Sequence, residues 1–194
     1  MVTYSPDFLQ KYDRHPIIIY KRRKDVNTKV PIINKGIEVE PLLAFRDSVK
    51  LDPTKADRNL TLIAEWVGGD QSRIKFRGIE TYLGGKGHLN PMQMFLACLA
   101  ACDVNMITMH ASFLGLKVES LSIEVSGHYN VQSYLGLVGA PGSGYDHIAY
   151  IVRLKAPDIT PEQIDYLIER CEKSSPVGDS FTRAIPMKLE FITE

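Results

Sequence analysis

NPMQMFLACLAACDVNMITMHASFLG, residues 90–115, is the stretch whose reading decides the fold. Asn90 supplies a side-chain acceptor for a helix N-terminus, and Pro91 is suited to the first helical position because it gives up only a donor that would be orphaned there. No glycine or further proline interrupts the run before Gly115, so a helix of roughly 39 Å is expected at about 1.5 Å per residue, long enough to cross a small domain. From Met94 to Cys102 every residue is apolar or a thiol, whereas Asp103, Asn105, Thr108 and His110 restore polarity later. A helix apolar all round must be enclosed. Its uninterrupted apolar run is under half the length that a membrane span requires, so enclosure by protein is expected, with Cys98 and Cys102 presented inside.

The surrounding 194 residues suit one domain with an appendage. Acids and bases balance at 23 each, which gives no bulk electrostatic reason to expect nucleic acid or an anionic membrane as partner. The N-terminus, MVTYSPDFLQKYDR, has neither the apolar core nor the cleavage site of a signal peptide, so a cytoplasmic protein is expected. Three cysteines without a disulfide-framework spacing fit a reducing compartment.

Residues 1–57 read as an N-terminal arm, suited to lie on a partner subunit, and 58–194 as the folded domain. In the arm, HPIIIYKRRK (15–24) reads as a strand edge or turn with solvated charges, and residues 37–52 alternate weakly before a turn at Asp52-Pro53. In NLTLIAEW (59–66), Leu60, Leu62, Ala64 and Trp66 alternate with other residues in the period of a half-buried strand. Gly68-Gly69-Asp70 turns the chain, and RIKFRG (73–78) returns with Ile74 and Phe76 inward, making a hairpin. TYLGGKGHLNP (81–91) lacks the spacing of a phosphate-binding loop and reads as a connector into the long helix. Beyond that helix, LSIEVSG (121–127) and HIAYIVRL (147–154) alternate as strands around a long glycine- and aromatic-rich connection, 129–146, of the kind used as lids or interface segments. Thr160-Pro161-Glu162-Gln163 is a capping box that opens a second helix, with Ile164, Leu167, Ile168 and Cys171 on its apolar face. Pro176 ends it, and MKLEFI (187–192) alternates as a last strand. The order β-β-α-β-β-α-β predicts an α+β fold with antiparallel strands wrapped around a central helix.

These residues resemble the OsmC/Ohr family of organic hydroperoxide reductases and related stress-induced thiol proteins. The resemblance covers roughly residues 60–194 and rests on WVGG, LGGKGHLNP, NPMQMFLACLAAC, LSIEVSG and the helix-ending SPV. It implies an intertwined homodimer with the long helices at its centre and two active sites at the subunit interface. It also implies that Cys102 is the peroxidatic nucleophile, that an arginine of the early hairpin, Arg73 or Arg77, orders the thiolate and substrate, and that electrons come from an external thiol or a lipoyl-type reductant. The chain departs from the family pattern in three places. Ser175 stands where a resolving cysteine precedes Pro-Val, Met92 and Gln93 follow Asn90-Pro91 where a glutamate is usual, and the hairpin arginine does not align uniquely. These departures argue against a standard two-cysteine reductase.

Peroxide attack needs a thiolate, and burial favours the neutral thiol, so a nearby cation is required. Cys102 lies beyond the first-turn reach of the helix dipole, which leaves Arg73, Arg77 or Lys86 to serve, with Asp103 opposing them. A disulfide between Cys98 and Cys102 would be strained on a regular helix, and Cys98 reads as core packing. Cys171, one turn before Ser175, is a second candidate for resolving Cys102. The cysteine spacing matches no structural zinc pattern, the five histidines are scattered, and no hydrolase motif appears, so no cofactor or metal is expected. The reading is a thiol-dependent hydroperoxide reductase acting on organic hydroperoxides. Its alternative is the same fold serving as a non-catalytic binding or structural module with an apolar ligand pocket at the dimer interface.

Overall fold

The computed structural model describes residues 34–193; the basic segment 15–24 lies outside them. The long helix, α2 (Pro91–Phe113), forms as the sequence predicts. Asn90 accepts from the Gln93 backbone N–H while the Gln93 side chain accepts from the Asn90 N–H, a reciprocal capping box. At its far end Gly115 takes φ +67° and the Leu116 N–H reaches back to the Ala111 carbonyl, a left-handed cap that glycine adopts without steric cost.

The second half of α2 carries the core. Met106, Ile107 and Ala111 pack with Leu114, Leu116, Val118, Leu167 and Cys171, and Leu121, Ile123 and Leu154 close the cluster from one side. Those last three belong to a two-stranded antiparallel sheet, β4 (Ser120–Tyr129) with β5 (Tyr145–Lys155). Leu167 and Cys171 come from α3 (Pro161–Ser174), which starts at the capping box expected from Thr160 and Gln163. A short helix not anticipated from the sequence, α4 (Pro176–Thr182), follows directly, with Ser175 as its N-cap.

A separate three-stranded antiparallel sheet holds β1 (Ile63–Gly68), β2 (Gln71–Phe76) and β3 (Ile79–Leu83) in that order. The turn at 68–70 falls where expected. The third strand is an addition to the sequence reading, which placed residues 81–91 in a loop. Its entry was hidden because the β2–β3 turn uses Arg77 at φ +45° before Gly78 at φ +83°. Hairpin turns of this kind favour asparagine or aspartate at the first position. Residues 37–52, read as weakly alternating, instead form α1 (Val39–Leu51), followed by a 3-10 turn at Pro53–Ala56. Pro41 falls in the first turn of α1, where proline removes no intrahelical bond. The described end of the arm docks on its own chain. Asn34 is buried, donating to Ser112 Oγ at 2.8 Å and the Leu116 carbonyl at 2.9 Å and accepting from the Val118 N–H.

Three expectations about burial are corrected. Strand β1 starts at Ile63, so Leu60 and Leu62 precede it, and Trp66 on its expected inner face is 77 % exposed. The first half of α2 is not fully enclosed by the described residues: Phe95 and Cys98 are exposed, so Cys98 is not core packing there. The segment MKLEFI forms no strand, and Met187 and Phe191 are 94 % and 83 % exposed. The physical reason is common to all three. Alternation marks a face that needs a covering layer and an edge to pair with, and among the described residues the β1–β3 sheet makes no substantial packing contact with any helix. The order among the described residues is therefore α-β-β-β-α-β-β-α-α, an α+β chain in which, of the two sheets, β4–β5 packs on the central helix beside α1, α3 and α4. By length and mean hydropathy α2 also meets the composition test for a membrane span, a test that core helices of soluble proteins pass as well.

Candidate functional site

Cys102 sits on α2 three turns from its start, half-buried, where α2 meets the junction of α3 and α4. That junction carries Ser175, which is completely buried. Its hydroxyl donates to the Cys102 sulfur at 3.4 Å and accepts the Gly178 N–H at 3.1 Å. Pro176 breaks α3 and forces the preceding residue out of helical conformation; Ser175 thus takes an extended backbone, φ −71° and ψ 114°, and turns its side chain toward α2. A Cβ at Gly178 would come within 3.2 Å of the serine side chain, so the glycine lets the first turn of α4 close over it. Ser175 is the hydrogen-bond partner of Cys102 among the described residues. A hydroxyl donor binds a charged acceptor more strongly than a neutral one.

Asp103, next to Cys102, is also fully buried, and neither of its carboxyl oxygens accepts a hydrogen bond among the described residues. Burial raises its pKa above the ordinary carboxylate value. A charge there would be costly. The same environment governs Cys171. Burial, then the negative potential of Asp103 and Glu172, pushes its thiol up to about 12, and Tyr150 is likewise raised to about 12, first by burial. Cys171 is thus a neutral thiol of the interior.

Two cavities flank this centre. One of about 420 Å³ lies between β5 and the α3–α4 junction, bounded by Leu99, Tyr145, Tyr150, Cys171 and Phe181. An aromatic wall closes one side: Phe95 stacks on Phe181 with ring centroids 3.9 Å apart and on Tyr145 at 5.8 Å. The Tyr145 hydroxyl holds this wall to α2 by donating to the Met92 carbonyl at 2.8 Å. The other cavity, about 370 Å³, is lined mainly by hydrocarbon from Ile107, Val152, Leu154, Leu167 and Ile168 and shares Cys171 with the first.

The structure brings together Cys102, Ser175 and Asp103, with Cys171 close behind. Within one chain the hairpin arginines are engaged elsewhere. Arg73 is held by Glu65 through contacts of 2.7 and 3.1 Å, with Lys75 on the other carboxyl oxygen, and the Arg77 guanidinium lies over Phe76. Sequence reasoning weighed Asp103 only as a neighbouring charge. Its complete burial depends on how α3 and α4 pack, which no local pattern reveals.

A comparison with curated protein sequences finds no match. Among solved structures the chain is similar to an OsmC-like protein from Mycoplasma pneumoniae, at 16 % identity and a TM-score of 0.55, covering 65 % of this chain and 89 % of that one. It is similar to a hypothetical protein from Aquifex aeolicus VF5, at 14 % identity and 0.53, covering 65 % and 89 %. An OsmC-like protein of unknown function from Vibrio cholerae aligns at 12 % identity and 0.50, covering 64 % and 94 %. Residues 84–190, which span α2, the β4–β5 sheet and the α3–α4 junction around Cys102, match the family model described as OsmC-like protein, and the chain therefore belongs to the OsmC-like protein family.

Proposed function

We propose that the protein is a thiol-dependent reductase of organic hydroperoxides, working as an intertwined homodimer, with Cys102 as its peroxidatic nucleophile. The observation that carries this reading is the 3.4 Å contact from the Ser175 hydroxyl to the Cys102 sulfur. It sets a hydrogen-bond donor on a half-buried sulfur at the point where the family resemblance expects a resolving cysteine. The exposed faces support the dimer. Trp66 on one sheet, Phe95 on α2 and Phe191 near the C-terminus are exposed among the described residues of one chain, and a second copy that covers them would bring its hairpin, with Arg73, Arg77 or the nearby Lys86, to the thiolate.

In the proposed cycle the Cys102 thiolate attacks the distal oxygen of the hydroperoxide. The O–O bond breaks, the distal oxygen stays on sulfur with its hydrogen as a sulfenic acid, and the departing alkoxide takes up the proton that the thiol released on ionising and leaves as the alcohol. Ser175 cannot form a disulfide, and Cys171 is held neutral. An external thiol, of small-molecule or lipoyl type, therefore attacks the sulfenic sulfur and releases water, and a second thiol equivalent frees Cys102. The hydrocarbon and aromatic walls of the cavities suit an apolar peroxide.

The test combines cumene hydroperoxide, a sulfenic-acid trap and mass spectrometry with sedimentation. The expected result is a dimer with one adduct on Cys102, lost in Cys102→Ser and retained in Cys171→Ser. A Cys102 that stays reduced while an apolar fluorescent probe enters the hydrocarbon cavity would replace the enzyme by a binding module.

A further inference from the structure

At the loop end of the β4–β5 hairpin, on the rim of the cavity whose far side Cys171 lines, two histidines and an aspartate converge. His128 and His147 are directly opposite each other in the antiparallel register, and their rings stack nearly parallel, 5.7 Å apart and 10° between planes. Leu121, Ile123 and Leu154 face the core, so alternation along each strand puts both histidines on the other, solvent-facing side. Asp146 precedes His147 and in a regular strand would point the opposite way. The ladder is broken just there: His128 pairs with His147, but Tyr129 pairs with Tyr145, which leaves Asp146 as the extra residue of a β-bulge. A bulge re-aims a side chain. The Asp146 carboxylate consequently meets both imidazoles, Oδ2 at 2.7 Å from His128 Nδ1 and Oδ1 at 2.5 Å from His147 Nδ1.

We infer that His128, Asp146 and His147 form a binding site for one divalent transition-metal ion, zinc in preference to magnesium or calcium. The three ligand atoms lie within 4.8 Å of one another, and a tetrahedral zinc with bonds of about 2.1 Å holds its ligands roughly 3.4 Å apart, which small side-chain adjustments supply. Two imidazole nitrogens and one carboxylate oxygen are a borderline ligand set that suits zinc, whereas hard cations call for oxygen alone. The fourth position opens to solvent and takes a water. Binding displaces the protons that the imidazoles share with the carboxylate. The ion also ties the two strands together where the 130–144 connection leaves the sheet, so it pins the base of that loop.

The test uses Zn²⁺ and Co²⁺ on the full chain. Competition with a chromophoric chelator is expected to give one Zn²⁺ per chain, weakened at least about tenfold in His128→Ala and in Asp146→Asn, since loss of a direct ligand costs no less than loss of a supporting one. The Co²⁺ spectrum is expected to lack a thiolate charge-transfer band, which separates this site from the cysteines. A second readout is chymotrypsin cleavage after Tyr134, a residue 82 % exposed on the loop; Zn²⁺ is expected to slow it in the wild type and not in His147→Ala. These substitutions lie on the solvent face, so circular dichroism should show the folded chain in each. The inference is overturned if the wild type takes up no more Zn²⁺ than a folded His128→Ala/His147→Ala variant, or if the Co²⁺ spectrum reports sulfur ligation.

Discussion

Replacing Ser175 by cysteine tests the geometry on which the proposed chemistry depends. The Ser175 oxygen lies 3.4 Å from the Cys102 sulfur, and a sulfur in its place, on a longer bond from Cβ, falls within a small adjustment of disulfide length. In the reduced form Ser175→Cys is expected to lose about 1 kcal/mol, because the serine hydroxyl caps α4 through the Gly178 N–H and a thiol accepts poorly. Oxidation reverses the sign. The bridge would close a loop of 73 residues, for which chain-entropy arguments give about 4 kcal/mol of stabilisation. The net gain of about 3 kcal/mol corresponds to a rise in Tm of roughly 6 to 12 °C for a chain of this size. The assay titrates the variant with cumene hydroperoxide and follows intact mass, free-thiol alkylation and Tm together. One equivalent is expected to remove two hydrogens, protect Cys102 and the introduced thiol from alkylation, and raise Tm, all reversibly with dithiothreitol. If both thiols remain open to alkylation, or Cys102 instead accumulates over-oxidised forms with an unchanged Tm, then the two positions do not meet in solution and the site has been read wrongly.

Asp103→Asn is expected to stabilise the protein by about 1 to 3 kcal/mol near neutral pH, since it removes a buried charge without a partner. The carboxyl titrates above its ordinary value, so the native state is penalised as pH rises past the unfolded pKa of about 4; the gain should vanish in denaturant melts below that pH. The same variant removes the negative charge beside Cys102 and should accelerate its alkylation by iodoacetamide. His110 moves in the other sense. Burial, aided by Arg170, lowers it to about 4 while Nδ1 pairs with the Tyr166 hydroxyl at 2.7 Å. The unfolded chain therefore takes up a proton first, and stability present above about pH 6.5 is lost as pH falls toward 4, by up to about 3 kcal/mol. His110→Gln should flatten that part of the pH profile of urea midpoints.

Local physics made much of the chain legible before its fold was known. The Asn90-Pro91 start of α2, the Thr160 capping box, the Pro176 break and the alternation of β4 and β5 all depend on residues within one or two turns of each other, and each stands where the sequence placed it. What failed were inferences about faces. Alternation in 59–66 and 187–192 marks apolar sides that require a cover, but it does not say which surface covers them; among the described residues of one chain nothing does. The helix α1 was missed because Ile37 to Glu40 alternates like a strand and Pro41 resembles a break, although a first-turn proline is permitted.

The sequence by itself determined the long apolar helix, the order of β4, β5 and α3, and the placing of a cysteine and a serine on elements that resemble a known family, because those depend on short-range sterics and hydrogen bonding. Only the tertiary structure decided which side chains meet. Cys102 and Ser175 are 73 residues apart and touch because α2 and α3 share a core. His128 and Asp146 are 18 apart and touch because a strand pairing places His147 opposite His128 and a bulge turns the neighbouring aspartate round. Contacts of that kind are set by packing and register, and no pattern of neighbours along the chain encodes them directly.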